Sequence, residues 1–372
     1  MNEKSGSQPA QQGEEPKIEY SISAGLAPRL ARNNISFAFT SYQSGILYFI
    51  GRNAEGGINV HQSAMPKPMG LCLDGDNGLL MTAGFQIMRF ENTLEQGQQI
   101  NNTFDVCYVP RLVHLTGSLD AHDVGLDKNG RIIFVNTRYN CLATTSTKHS
   151  FVPIWQPPFI TDLVDEDRCH LNGLAMEDGR PRYVTAVSRS NTIDGWRDRR
   201  ADGGIVIDVK TNKVICEGLS MPHSPRLHNG KLWVLNSGTG ELGYIEFSDK
   251  KQTKGTFVAK TFCPGFLRGL AFHGNYAYIG LSKPRYKRFE GLALDEKLKE
   301  ADAEPWCGIQ IIDLSTGACV DWFRIDGTIG ELYDLEILPN ITCPVAVSPA
   351  SEEAASLITF AAQQISEGTT QN

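Results

Sequence analysis

No run in the sequence approaches the ~20 consecutive apolar residues that a bilayer-crossing helix requires, so no membrane span is expected. Cysteine pairing is also missing. The nine cysteines are scattered, odd in number and never spaced CxxC. That pattern argues against a disulfide frame or zinc ribbon and for reduced, buried thiols in a cytoplasmic protein. Basic charge is in short supply, with 35 Lys and Arg against 42 Asp and Glu and a net charge of -7. A chain that neutralises phosphates wants a basic face, so no nucleic-acid partner is expected. The signatures GxGxxG, GxxxxGK[ST], HExxH and GxSxG are absent as well. With them go the nucleotide, zinc-protease and serine-hydrolase readings that rest on those motifs. Long 3.6-residue periodicity is scarce, and only 286–303 and 350–364 read as short helices.

What is present is a repeat. Short runs of Val, Ile, Leu, Phe and Tyr alternate with turn signals such as Lys128-Asn129-Gly130, Glu177-Asp178-Gly179 and His228-Asn229-Gly230, the pattern of hairpins. One unit reads HDVGLDKNGRIIFVNTR (122–138), the next HLNGLAMEDGRPRYVTAVSR (170–189), the next HSPRLHNGKLWVLNSG (223–238). Weaker copies begin at 67, 266 and 333, and second hairpins follow at 203–218 and 307–322. The starts at 67, 122, 170, 223, 266 and 333 are spaced by 55, 48, 53, 43 and 67 residues, the last stretched by an insertion at 284–305. Four-stranded units of about 40–50 residues are propeller blades. The expected fold is an all-β, six-bladed propeller over 34–348, with a disordered leader at 1–33 and a short helix and disordered tail at 349–372. The sixth unit lacks its outer two strands, so segments 35–41 and 45–51 are expected to complete it and leave no blade open.

The innermost strand of each blade lines the central channel, so equivalent repeat positions converge in space. His122, His170 and His223 open three consecutive units, where the other three carry Phe266, Tyr333 and Lys67. Three imidazoles aimed at one axis form the ligand set of an open metal site, most suited to zinc, with iron or copper as alternatives. The plain alternative is three hydrogen-bonded structural histidines. Arg138, Arg189 and Lys283 share a place after the second strand. There they either hold an anionic substrate or simply carry surface charge. Asp123 and Asp334, just inside the inner strands, could orient a histidine or serve as general base, and Tyr333 is a candidate acid.

These repeats resemble the six-bladed propellers that include NHL-type proteins, gluconolactonase-like hydrolases and the peptidylglycine lyase. In the lyase group, histidines from separate blades hold zinc at the channel mouth, and His122, His170 and His223 match that in principle, although the surrounding sequence departs from it. Gluconolactonase-like enzymes use acidic and Asn ligands, which the three histidines do not follow. The segments SLDAHDVGLD, HLNGLA, MPHSPRLHNGKLWVLNSGTGELG and PGFLRGLAF resemble a bacterial family of conserved hypothetical proteins over about 35–345. That resemblance implies the fold and no established reaction.

Three readings of function follow. One is a metal-dependent enzyme acting on an anionic small molecule or peptide carboxylate at the channel mouth, as a hydrolase, lyase or oxygenase. The second is a non-catalytic platform that binds a peptide or partner protein through its loops, especially 284–305. The third is a metal-free enzyme that uses the channel histidines as acid and base.

Overall fold

The computed structural model describes residues 18–76, 78–285 and 289–360. Six antiparallel sheets form a closed ring of blades, each with its innermost strand on the channel. Blade 1 runs outward through Pro68–Asp74, Gly78–Ala83, Gln86–Asn92 and Val106–Leu115. Blade 2 uses Ala121–Leu126, Ile132–Asn136, Cys141–Thr144 and Val152–Trp155, and blade 3 Leu171–Glu177, Arg180–Ala186, Gly204–Asp208 and Lys213–Leu219. Blade 4 uses Pro222–His228, Lys231–Asn236, Glu241–Phe247 and Gly255–Phe262, and blade 5 Phe266–His273, Tyr276–Ser282, Cys307–Asp313 and Cys319–Asp326. The inner hairpins turn where the sequence predicts. Asp178 and Gly179, and likewise Asn229 and Gly230, all have positive φ, the backbone that two-residue hairpin turns require.

Closure differs in detail from the expectation. Blade 6 has Leu335–Pro339 alone from the C-terminal side, and Ile35–Ser41, Ile46–Arg52 and Ile58–Ala64 from the N-terminal side. The split is therefore one strand against three. After Pro339 the chain turns at Asn340 (φ 60°), and both carboxylate oxygens of Asp105 accept the backbone N–H groups of Thr342 and Cys343 at 2.8 Å. This steers Pro344–Ala346 into parallel pairing with the outer strand of blade 1. The chain thus ties blade 6 to blade 1 at both levels.

The region read as a leader is also partly built. Glu19–Ile22 is a fifth strand on the edge of blade 5, and Leu26–Asn33 is a helix. Leu26 and Leu30 lie four residues apart, so they share one helix face, and both are fully buried. Arg29 pairs with Asp321 at 2.5 Å. Residues 1–17, 286–288 and 361–372 lie outside the described residues, so the leader and tail expected there, and the start of the 286–303 helix, fall beyond them. Within the insertion the helix is Leu294–Glu300, and the terminal one is Glu352–Ser356.

Blades pack through apolar faces, for example Phe39 of blade 6 tilted against Phe323 of blade 5 at 5.9 Å and Phe49 of blade 6 stacked on Tyr108 of blade 1 at 5.7 Å. Near the channel a belt of hydroxyls joins neighbouring blades. Thr40 donates to the Met69 carbonyl (2.6 Å), Thr82 to Ala121 (2.7 Å), Thr137 to Leu171 (2.6 Å), Ser237 to Leu267 (2.6 Å) and Ser282 to Leu332 (3.3 Å). Five of the six interfaces carry this bond, so the inner strands hold a common height around the axis.

Candidate functional site

That common height gives the inner strands a register, and the register corrects the sequence alignment. Lys67, Asp120, His170 and Met221 all adopt left-handed backbone, with φ of 51°, 52°, 52° and 46°. Three residues later come Gly70, Asp123, Gly173 and Ser224, and the series continues with Gly269 and Asp334. The side chains of alternate blades fill this third level. Asp123 accepts from Leu174 N–H (2.8 Å), Ser224 from Gly269 N–H (3.1 Å) and Asp334 from Leu71 N–H (2.9 Å). The blades between them need glycine there: a Cβ on Gly173 would lie 2.3 Å from Pro225 Cδ.

The channel mouth is therefore two rings. The upper ring is Lys67, Asp120, His170, Met221, Phe266 and Glu331; the lower is Met69, His122, Asn172, His223, Arg268 and Tyr333. The three histidines do not share one repeat position. His122 and His223 lie in the lower ring, and His170 stands two residues earlier in its blade, in the upper ring.

Each imidazole is held by its Nδ1. His122 Nδ1 bonds the Asp120 carbonyl and the Thr137 hydroxyl, both at 2.8 Å. Thr137 spends its own proton on Leu171, so its oxygen accepts from the ring. His223 repeats this with the Met221 carbonyl (2.8 Å) and the Ser237 hydroxyl (3.0 Å). A carbonyl only accepts, so both rings carry their proton on Nδ1 and turn a lone pair outward on Nε2. His170 Nδ1 meets the Asp167 carboxylate at 2.8 Å, and the same carboxylate oxygen accepts from Trp196 Nε1 at 3.0 Å. Trp196 also stacks on the His170 ring at 4.1 Å. The His122 and His170 rings meet edge to face at 4.8 Å, with Tyr333 5.4 Å from His122. Burial lowers the His122 and His223 pKa values, His223 well below the usual range with Arg268 adding to the shift. Burial also pushes the Tyr333 hydroxyl well up, aided by the Asp120 carboxylate.

Above them lies a cavity of about 590 Å³, lined by both rings except Lys67, Asn172 and His223, and by Tyr42, Trp196, Arg200 and Phe289. Two of its cations are held by one acid. Glu331 pairs with Arg268 and with Arg285 (2.8 Å); burial works to raise its pKa, and the two guanidinium groups outweigh that and hold it down. Arg268 also lies over the Phe266 and Tyr333 rings, at 5.2 and 5.1 Å. Beneath the lower ring, Arg226 bonds Asp123 at 2.8 Å and Asp334 at 3.4 Å. Burial and the nearby Asp123 carboxylate raise Asp334 to about 7 against the opposing pull of Arg226, and burial raises Glu336 to about 7 as well.

The chain lies within a known grouping. A family model described as a domain of unknown function, DUF4915, matches residues 24–347. The chain belongs to the DUF4915 family. No curated protein matches it in sequence. Among solved structures it is similar to a chain of the nidogen/laminin complex, with 11% identity, 82% of this chain and 99% of that one covered, and a TM-score of 0.52. It is also similar to virginiamycin B lyase from Staphylococcus aureus, with 13% identity, coverage of 84% and 99%, and a TM-score of 0.37. At such identity the first likeness speaks to the fold alone, and the weaker one carries nothing further.

Within this DUF4915 chain the structure sorts the expected site residues. His122, His170, Tyr333 and Lys283 line the cavity, and His223 lies beside them against Phe266 at 5.6 Å. Asp123 and Asp334 point to Arg226 and to backbone N–H groups, so they brace the channel below the cavity and do not line it. Arg138 is half-buried and bound to Asp165 at 2.5 and 2.6 Å. Arg189 is exposed, paired with Glu217, and lines a separate surface cleft. Neither lines the cavity, and of the three equivalent positions Lys283 alone does. Among the described residues no three of His, Cys, Asp and Glu lie close enough to share one metal ion, as the two-ring placement of the histidines explains.

Sequence reasoning missed Asp167, Trp196, Arg268, Arg285 and Glu331. Asp167 comes from the loop before blade 3 and Trp196 from the loop between that blade's second and third strands, where no repeat marks them. Arg268 and Glu331 did carry a signal. They stand one residue before Gly269 and three before Asp334, and the glycine/acid alternation fixes the register.

Proposed function

We propose that this chain is an acid–base enzyme acting on a small molecule at the channel mouth, with His170 as its proton acceptor. The carrying observation is the Asp167–His170 pair. A carboxylate holds Nδ1, so Nε2 is left to face the cavity. An orienting acid behind a histidine base is the arrangement used where a proton must leave a substrate or an attacking water. His170 Nε2 takes that proton, and Asp167 stabilises the imidazolium. Tyr333, which burial keeps protonated, donates a hydrogen bond to the substrate, and the His170 imidazolium returns the proton a leaving oxygen needs. The reaction class is a lyase or hydrolase step. The test is turnover of a panel of small carboxylates, esters and lactones. Both His170→Ala and Asp167→Asn should lower kcat by about a hundredfold or more, and unchanged turnover in either would overturn the assignment.

A second reading is a divalent metal, zinc above all, on the imidazole Nε2 atoms. It is favoured by the oxygen acceptors behind all three Nδ1 atoms, the support that metal-bound histidines use. Elemental analysis of untagged protein separates the two. One equivalent of metal, absent from the His122/His170/His223 triple alanine variant, would replace the first reading with the second.

A further inference from the structure

The lower ring holds an unusual set of unused hydrogen-bonding atoms. Asn172 Nδ2, His223 Nε2, Arg268 Nε and Tyr333 Oη are buried and have no hydrogen-bond partner among the described residues. Their residues are 3%, 5%, 9% and 7% exposed. Buried polar groups are nearly always paired, because leaving one unpaired costs ~1–3 kcal/mol. Four on one level of one channel mark a place built for a guest. The cavity floor opens onto this ring at Met69, His122, Arg268 and Tyr333.

The polarity of the set identifies the guest. Asn172 Nδ2, Arg268 Nε and Tyr333 Oη donate. Asn172 presents its Nδ2 with Oδ1 accepting from the Thr185 hydroxyl at 2.6 Å. His223 Nε2 accepts, since Nδ1 gives its proton to the Met221 carbonyl. Three donors, one of them a guanidinium, suit the two oxygens of a carboxylate. The lone acceptor beside them suits a hydroxyl next to that carboxylate.

We propose that the lower ring is a binding subsite for a short 2-hydroxycarboxylate, with the carboxylate on Arg268, Tyr333 and Asn172 and the hydroxyl donating to His223. This deepens the acid–base reading above by giving its substrate class, and it places the rest of the substrate in the upper ring beside His170.

Calorimetric titration of the full chain with glycolate and with acetate at neutral pH tests it. Glycolate should bind, and acetate, which has nothing to give His223, should bind about tenfold more weakly. Tyr333→Phe removes only a hydroxyl without a protein partner. It should leave the unfolding temperature unchanged or slightly higher and weaken glycolate about tenfold, and Asn172→Ala should weaken it similarly. Absence of binding by either acid, as expected if water alone fills the ring, would overturn the proposal. So would equal affinity for the two acids, or glycolate binding untouched by both variants. His170→Ala is the control: it should lower turnover and leave glycolate affinity intact, whereas wild-type protein that binds glycolate and turns over no member of the panel would sink the acid–base reading and spare this one.

Discussion

His170 sits at φ 52°, a backbone that costs a non-glycine residue about 1 kcal/mol. The same twist recurs at Lys67, Asp120 and Met221, so the inner-strand start imposes it and the histidine exploits it. The buried, neutral histidines also have a pH consequence. His223 has a depressed pKa in the folded state, so below its ordinary value near 6.5 the unfolded chain binds the extra proton. The stability it contributes is complete above that pH and is lost as pH falls. Asp334 and Glu336, raised to about 7, run the other way, and their contribution is lost as pH rises through 7. Urea midpoints of wild type and His223→Gln, compared at pH 7.5 and at pH 5, isolate the histidine. The variant should lose less stability on acidification, and an equal loss would show that His223 does not stay neutral.

At the scale of elements, the hydroxyl belt and the glycine alternation set where every channel residue stands. Thr137 does two jobs, bonding the Leu171 carbonyl of the next blade and the His122 ring. Thr137→Val keeps the shape and leaves both partners short. It should cost about 1–3 kcal/mol in chemical denaturation, and a loss below about 0.3 kcal/mol would show that the belt is not under load. Gly269 packs against blade 6, where a Cβ would stand 2.8 Å from Leu335 N, and its φ is +79°. Gly269→Ala should therefore destabilise by roughly 1–3 kcal/mol. Blade count and hairpin turns were legible in the sequence, because strands and Asn-Gly or Asp-Gly turns are local. The register was legible too, in the alternation of Gly70, Gly173 and Gly269 with Asp123, Ser224 and Asp334. Histidine identity masked it, since His170 resembles His122 and His223 while standing two residues out of step.

For the whole molecule, closure joins residues some 300 apart in sequence, with Phe39 paired to Leu335 and Glu19 to Asp326. A chain beginning at residue 65 would leave blade 6 with a single strand and, by removing Phe37 and Phe39, strip the cover from Tyr278 and Phe323, both fully buried. It should show no cooperative thermal transition. A sharp one close to that of the full chain would mean that the ring holds without its fastening.

The sequence alone determined the repeat, the four-stranded blade, the six-fold count and the pairing of the first strands with the last unit, because these follow from hydrophobic alternation and turn chemistry within a few residues. It also picked His122, His170, His223 and Tyr333 as channel residues. Their heights were written in the alternation of glycine with Asp and Ser, and tertiary structure decided what surrounds them. It set Arg138 and Arg189 on the surface and Asp123 and Asp334 beneath the cavity around Arg226. It also brought Asp167, Trp196, Arg268 and Glu331 in from loops and neighbouring blades. Which side chains meet across a channel depends on strand register and loop path, and a contact between blades leaves no mark in the spacing of either one.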